Sequence, residues 1–246
     1  VWNGWKGQLL RALYRETEMV ITGDYGGAER SARIEAAIAE LRKALPDWTD
    51  AQFRAYARRH NPAYWIKVDL ANQVQHAKLV ERGARAGDHF QVDFTTDGFR
   101  GVTELTVLAI DHPRLLSIIT GACAAAGANI VEAQIFTTND GFALDTITIS
   151  RAFTQDQDEM RRADRVAKHI IATLKGEVRL PEIVASRSAQ APMSQAFTVA
   201  PEVIIDNELS AKSTVVEVTG LDRPGLLYAL TTEIGKQNLN INSARI

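Results

Sequence analysis

Residues 110–135, IDHPRLLSIITGACAAAGANIVEAQI, lie without a gap over residues 221–246, LDRPGLLYALTTEIGKQNLNINSARI, at a constant offset of 111. Nine of the 26 positions are identical: Asp111 with Asp222, Pro113 with Pro224, Leu115 with Leu226, Leu116 with Leu227, Thr120 with Thr231, Asn129 with Asn240, Ile130 with Ile241, Ala133 with Ala244 and Ile135 with Ile246. Self-similarity at a fixed spacing marks a duplicated structural unit. Leu115, Leu116, Ile119 and Cys123 have helical spacing, as do Leu226, Leu227, Leu230 and Ile234, and a buried helix face accounts for them.

The Asp-x-Pro loop and the Asn-Ile pair need another reason, because they are polar or conformationally special. Pro at a first helical turn presets φ and gives up no needed N–H, and Asp at or just before the cap can accept free backbone N–H groups. The remaining amides carry partial positive charge and suit a carboxylate. Gly225 lets a ligand come close to the backbone, and the amide of Asn240 offers donor and acceptor together. The candidate amino-acid site is therefore Asp222, Arg223, Pro224, Gly225, Leu226, Asn240 and Ile241, with Asp111, His112, Pro113, Arg114, Asn129 and Ile130 as its first copy. Arg114 stands where the second copy has Gly225, a departure that weakens the match there.

Working outward, a period of two begins near Asp88, with Phe90, Val92 and Phe94 and then a run from Arg100 to Ile110. A helix over 113–126 follows, then strands at 129–138 and 142–150 joined across Asn139-Asp140-Gly141, a hairpin signal. A helix from about Gln155 to Leu174 and a last strand at Glu177–Val184 complete a ferredoxin-like βαββαβ unit of the α+β class. Residues 185–200 read as a linker. A strand pair at 198–206 and 212–220, a helix from Pro224 to about Lys236 and a strand at 239–246 make a second, truncated unit over 201–246.

Residues 1–87 read as helical. Leu9, Leu10 and Leu13 share one face and Ile34, Ile38 and Leu41 another, with Gly23, Gly26 and Gly27 between. Thr49 or Asp50 caps a further helix and Asp69 another. Trp48 and Trp65 read as core anchors. The four spans are thus 1–87, 88–184, 185–200 and 201–246. Val1 at one end and Ile246 within an apolar stretch at the other suggest a piece of a longer protein.

The bulk numbers describe an ordinary globular chain: 46% hydrophobic, 24% charged, net charge -2. The basic residues gather on no stripe, which argues against nucleic acid as partner. A single cysteine, Cys123, suits a reducing cytoplasm, and no apolar run reaches the roughly eighteen residues a membrane span needs. Asp156, Asp158 and Glu159 could be a metal cluster but sit where a helix start favours negative charge. The five histidines, His60, His76, His89, His112 and His169, have no metal-ligand spacing.

The loop and strand motifs, Leu221 to Leu227 with Asn240-Ile241 and Asp111 to Leu116 with Asn129-Ile130, resemble the ACT family of regulatory amino-acid-binding domains. The helical motifs resemble something narrower. Trp2-Asn3, Trp5-Lys6, Leu9-Leu10, Leu13-Tyr14 and Thr17, then Asn61-Pro62-Ala63-Tyr64-Trp65 with Asp69, are similar to the region before the paired ACT domains in the bifunctional uridylyltransferase/uridylyl-removing enzymes. That resemblance covers essentially the whole chain. It implies a glutamine sensor at the end of an enzyme that adds UMP to, and removes it from, the PII nitrogen-regulatory protein, with magnesium serving catalytic domains elsewhere. No catalytic motif and no cofactor site is read in these residues: there is no Gly-Ser dipeptide for a nucleotidyltransferase and no His-Asp dipeptide for the hydrolase. Two other readings stand beside it: ACT units that dock proteins without a metabolite, and the end of a guanosine-tetraphosphate synthetase/hydrolase.

Overall fold

A computed structural model of the chain describes Leu10, Tyr14 and residues 27–190, 199–209, 213–239, 241 and 244–245. The motif from Trp2 to Thr17 and the glycines at 23 and 26 lie outside these, Leu10 and Tyr14 excepted.

Local capping chemistry sets the helical part. Helix α1, Gly27–Ala44, is followed by α2, Asp50–Ala57, whose cap is Thr49: its hydroxyl accepts from Gln52 N while the Gln52 side chain accepts from Thr49 N at 2.9 Å. Asn61 caps α3, Pro62–Lys67, with Pro62 in the first turn, and Asp69 caps α4, Leu70–Ala86, by accepting from Asn72 N. Gly87, at φ 62°, closes α4 in the left-handed conformation that glycine adopts at no steric cost.

After α4 the chain enters a sheet of β1 Gln91–Asp97, β2 Val102–Ile110, β3 Ile130–Gln134, β4 Phe142–Ser150 and the short β7 Ala244–Arg245, in the order β1-β2-β4-β3-β7. Strands β1 and β2 pair antiparallel, as do β2 and β4. Helix α4 approaches closely at Gly83, where a Cβ would stand 3.1 Å from the Asp88 carbonyl and from Gln91.

By contact, the chain divides into two compact units, one drawn from 1–112, 131–160 and 243–246 and the other from 113–130 and 161–242. In the first, helices and sheet share one core: Leu41, Phe53, Tyr56, Tyr64, Trp65, Leu79 and Val80 are buried together with Leu108, Phe136 and Leu144. At about 1.5–3 kcal/mol for each large apolar side chain removed from water, this shared core joins the helical segment to the sheet. Trp65 is buried and Trp48 packs against the cluster, as core anchors do.

The second unit contains α5 Leu115–Ala126, residues 161–174 of α6 (Asp156–Leu174), α7 Leu180–Gln190, a hairpin of β5 Glu202–Asp206 and β6 Val215–Thr219, and α8 Leu226–Lys236. The ring of Tyr228 and the side chain of Leu180 fill the space beside Gly121 on α5, at 2.8 and 2.9 Å from where a Cβ would be.

The class is α+β, but one element differs from expectation. Residues 177–184 supply no strand; α7 begins at Leu180, and its run to Gln190 makes helix of the first part of the expected linker. Leu180 and Val184, both buried, are one helical turn apart. Pro181 in the first turn with Glu182 beside it is a helix start. The edge beside β2 is taken instead by β1, from before the first loop.

The duplication therefore reaches further back than the loop. Gln91 faces Leu108 and Thr95 faces Glu104; in the second copy Glu202 faces Thr219 and Asp206 faces Val215, each shifted by 111. The strands of this second hairpin are largely exposed, Val203, Ile204, Ile205, Val216 and Val218 included.

Candidate ligand site in the duplicated loop

Each copy runs from the end of a strand through Asp-x-Pro into a helix. The helices start two residues after the prolines, at Leu115 and Leu226, so Pro113 and Pro224 sit in the preceding turn and not in the first helical turn. The cap positions are Arg114 and Gly225: Arg114 O accepts from Ile118 N at 3.1 Å and Gly225 O from Ala229 N at 2.9 Å.

Neither aspartate caps its helix, and no side chain caps either one. Asp111 turns instead to the β3–β4 connection, accepting from Thr137 Oγ1 at 2.7 Å while its own N–H donates to Gly141 O at 3.0 Å. The end of β2 is thereby tied to the Asn139-Asp140-Gly141 turn, where Gly141 has φ 82°. First-turn amides without side-chain partners are the donors an anionic group would meet.

The copies differ in backbone at the cap. Gly225 has φ 80° and ψ 5°, a left-handed conformation, whereas Arg114 has φ -96° and ψ -4°. A side chain at Gly225 would strain this backbone by about 1–2 kcal/mol. The glycine thus has a conformational reason of its own, and Arg114 replaces it only where the turn is right-handed.

Asp222, Arg223 and Pro224 are exposed and Leu226 is half-buried. Asn240 lies outside the described residues, and Ile241 is half-buried. In the first copy Asp111, His112 and Ile130 are half-buried, while Pro113, Arg114 and Asn129 are exposed. The Pro113 carbonyl lies against α8, 3.1 Å from where a Cβ at Gly235 would be.

Two buried polar groups were not singled out by sequence reasoning. Asp145, on β4, is buried, and burial first, then the Asp111 carboxylate, push its carboxyl up to about 8, against the opposing pull of the Phe136 N–H. An aspartate inside the apolar run Phe142–Ile147 was the available signal. The other is a chain of side chains through the core: Tyr56 Oη to Tyr64 Oη at 3.0 Å, Tyr64 Oη to His76 Nδ1 at 3.1 Å, and His76 Nε2 to Thr146 Oγ1 at 3.1 Å. Burial lowers His76 to about 4, and burial with the His76 and Arg59 charges lowers His60, stacked 3.8 Å from Tyr64, to about 3.

The acidic start of α6 has structural partners. Asp156 pairs with Arg151, and the buried Glu159 accepts from the N–H groups of Ala152 and Phe153, at 2.6 Å for the latter. Among the described residues no group of three or more His, Cys, Asp or Glu side chains is placed to hold a metal ion. Cys123 is buried on α5, its thiol pushed up to about 12 by burial against the opposing Arg162 cation. No described helix is long and apolar enough to cross a membrane.

No family model matches the chain. Curated proteins do, from end to end. The chain is 55% identical over 246 residues, all of its length, to the bifunctional uridylyltransferase/uridylyl-removing enzyme of Bradyrhizobium sp. (strain ORS 278), of which it covers 26%. It is 54% identical over 248 residues to the enzyme of that name from Rhodopseudomonas palustris, covering 27%, and 53% identical over 246 residues to that from Nitrobacter hamburgensis, covering 26%. The chain spans about a quarter of the length of these relatives. Along its whole length, then, the chain belongs to the family of bifunctional uridylyltransferase/uridylyl-removing enzymes, as a segment matching the C-terminal 26% or so of them.

Proposed function

We propose that this chain is the glutamine-sensing, regulatory part of an enzyme that adds UMP to the PII protein and removes it. The observation that carries the reading is the end-to-end similarity to enzymes named for both activities. The duplicated loop supports it physically. Two helix starts without side-chain caps, one held open by a left-handed glycine, are suited to the carboxylate of an amino acid.

In this reading the ACT units at 88–184 and 201–246 bind glutamine and shift the enzyme toward removal of UMP. Such coupling needs only ~1–3 kcal/mol of differential affinity. Catalysis, with its magnesium, belongs to domains outside this chain, and the compartment is the cytoplasm, where the amino-acid pool is read. The guanosine-tetraphosphate alternative gains nothing from the relatives' names. Docking without a metabolite finds some support in the exposed apolar hairpin Glu202–Thr219.

Calorimetry with glutamine on the chain is the test. Heat that vanishes in Gly225→Val and Asn240→Ala supports sensing. Silence at millimolar glutamine, with binding to PII or the catalytic domains retained, supports docking instead.

A further inference from the structure

A cavity of about 390 Å³ opens in the first unit between α2, α4 and the β3–β4 turn, and none of its lining residues belongs to the candidate ligand site. Gln52, Tyr56 and Arg59 line it along one stripe, at i, i+4 and i+7. Val80, Glu81 and Ala84 face them from α4, Trp48 closes the apolar end edge-on to Tyr56, and Asp140 closes the other.

The charges in it are arranged as a pair. Arg59 Nε lies 2.8 Å from Asp140 Oδ2, and its guanidinium rests on the Phe142 ring, 5.2 Å from the centroid. The Arg59 terminal nitrogens bond no partner among the described residues, and only Oε1 of Glu81 is engaged, by Arg85 at 2.7 Å. A cation directly beside an anion complements a headgroup whose carboxylate and ammonium share one carbon. About 10 Å along the stripe stand an aromatic wall and the Gln52 amide, whose oxygen is spent on Thr49 and whose nitrogen is not. The volume falls in the range of small-molecule sites.

We propose that this cavity binds an α-amino acid with a large apolar or aromatic side chain: its carboxylate on Arg59, its ammonium on Asp140 or Glu81, its side chain against Trp48, Tyr56 and Val80. The floor of the site is Tyr56, whose hydroxyl heads the hydrogen-bonded chain through Tyr64 and His76 to Thr146 on β4. Occupancy thereby reaches β4 of the sheet through this chain of side chains. The proposal does not rest on the glutamine reading.

The experiment is isothermal calorimetry of the whole chain with L-phenylalanine and L-leucine, and with phenethylamine and phenylacetate as half-headgroup controls. Binding of either amino acid at millimolar concentration is expected, with each control at least about tenfold weaker. Ala84→Phe and Ala55→Leu, which fill the cavity from exposed positions on opposite walls, each abolish the heat, and Gly225→Val leaves it unchanged. Two variants guard against one failing to fold. The site is refuted by no heat up to about 20 mM amino acid, by undiminished binding in a folded filling variant, by controls as tight as the amino acids, or by loss confined to Gly225→Val.

Discussion

Thr120 and Thr231, which occupy the same position in the two copies, share a buried hydrogen bond, Oγ1 to Oγ1 at 3.0 Å. Helices α5 and α8 meet there. In the other unit Ala133 of β3 pairs with Ala244 of β7, again equivalent residues, with Glu132 facing Arg245. Each pairing sets a position of one copy against its own counterpart. With one proton each, the two hydroxyls serve their shared contact and one of the carbonyls within reach on their own helices, Ser117 O for Thr120 or Leu227 O for Thr231. Each single Thr→Val substitution should therefore cost about 1 kcal/mol, with a small coupling energy between them. A double-mutant cycle by urea denaturation measures it, and strict additivity would mean that the contact contributes nothing.

The cap residues should respond in opposite ways. Gly225→Ala forces a side chain into left-handed backbone and should destabilise by about 1–2 kcal/mol. Arg114→Gly should change stability by only a few tenths of a kcal/mol, since no side-chain cap is lost. Denaturation midpoints of the two variants decide this.

Tyr64 should matter more than Tyr56. Tyr64→Phe removes the hydroxyl between Tyr56 and His76 and strands a buried polar group on each side, a loss of about 2–4 kcal/mol. Tyr56→Phe removes only the terminal member and should cost about 1 kcal/mol. Equal losses in urea would argue against a connected chain.

Stability should fall on both sides of a maximum near neutral pH, for separate reasons. His76 and His60 are lowered from 6.5 to about 4 and about 3, so the unfolded chain binds more protons below 6.5. Their contribution is complete above 6.5 and is lost as the pH falls toward those values. Asp145 is raised from 3.8 to about 8, so the folded chain holds the extra proton; its contribution is complete below 3.8 and is lost as the pH rises through 8. Asp145→Asn should therefore flatten the decline between about 6.5 and 8 and steepen the acid limb between about 3.8 and 6.5, where the Asp145 contribution opposes that of the histidines. Melting temperature against pH for both chains is the readout.

Two hairpins of one register should exchange their amides very differently. The β1–β2 pair is flanked by α4 and β4, whereas the β5–β6 strands are exposed along most of both. Hydrogen exchange should be fast across 202–219 and slow across 102–110. Comparable protection would mean that the second hairpin is covered in solution.

The α+β class, the hairpin turn at Asn139–Gly141 and the caps Thr49 and Asp69 were legible in the sequence because each depends on neighbours within a few positions. Residues 177–184 form no strand although Leu180, Ile183 and Val184 fit a short apolar strand as readily as a helix turn, and Pro181 in the first turn decides for the helix. The aspartates of the loops look like caps in isolation. Only the approach of Thr137, 26 residues away from Asp111, redirects the first of them. The cavity beside Arg59 joins α2, α4 and a turn some 80 residues on, and no local pattern encodes it.

The strand at Gln91–Asp97 carries a lesson about ancestry. Since the 111-residue spacing holds for the hairpin registers as well as for the loops, what was copied included the hairpin and not the Asp-x-Pro motif alone. Each descendant arrived with its own edge strand already attached. An excised module that starts at residue 102 would therefore discard inherited material, and the natural point of dissection lies ahead of Gln91 and, in the later copy, ahead of Glu202.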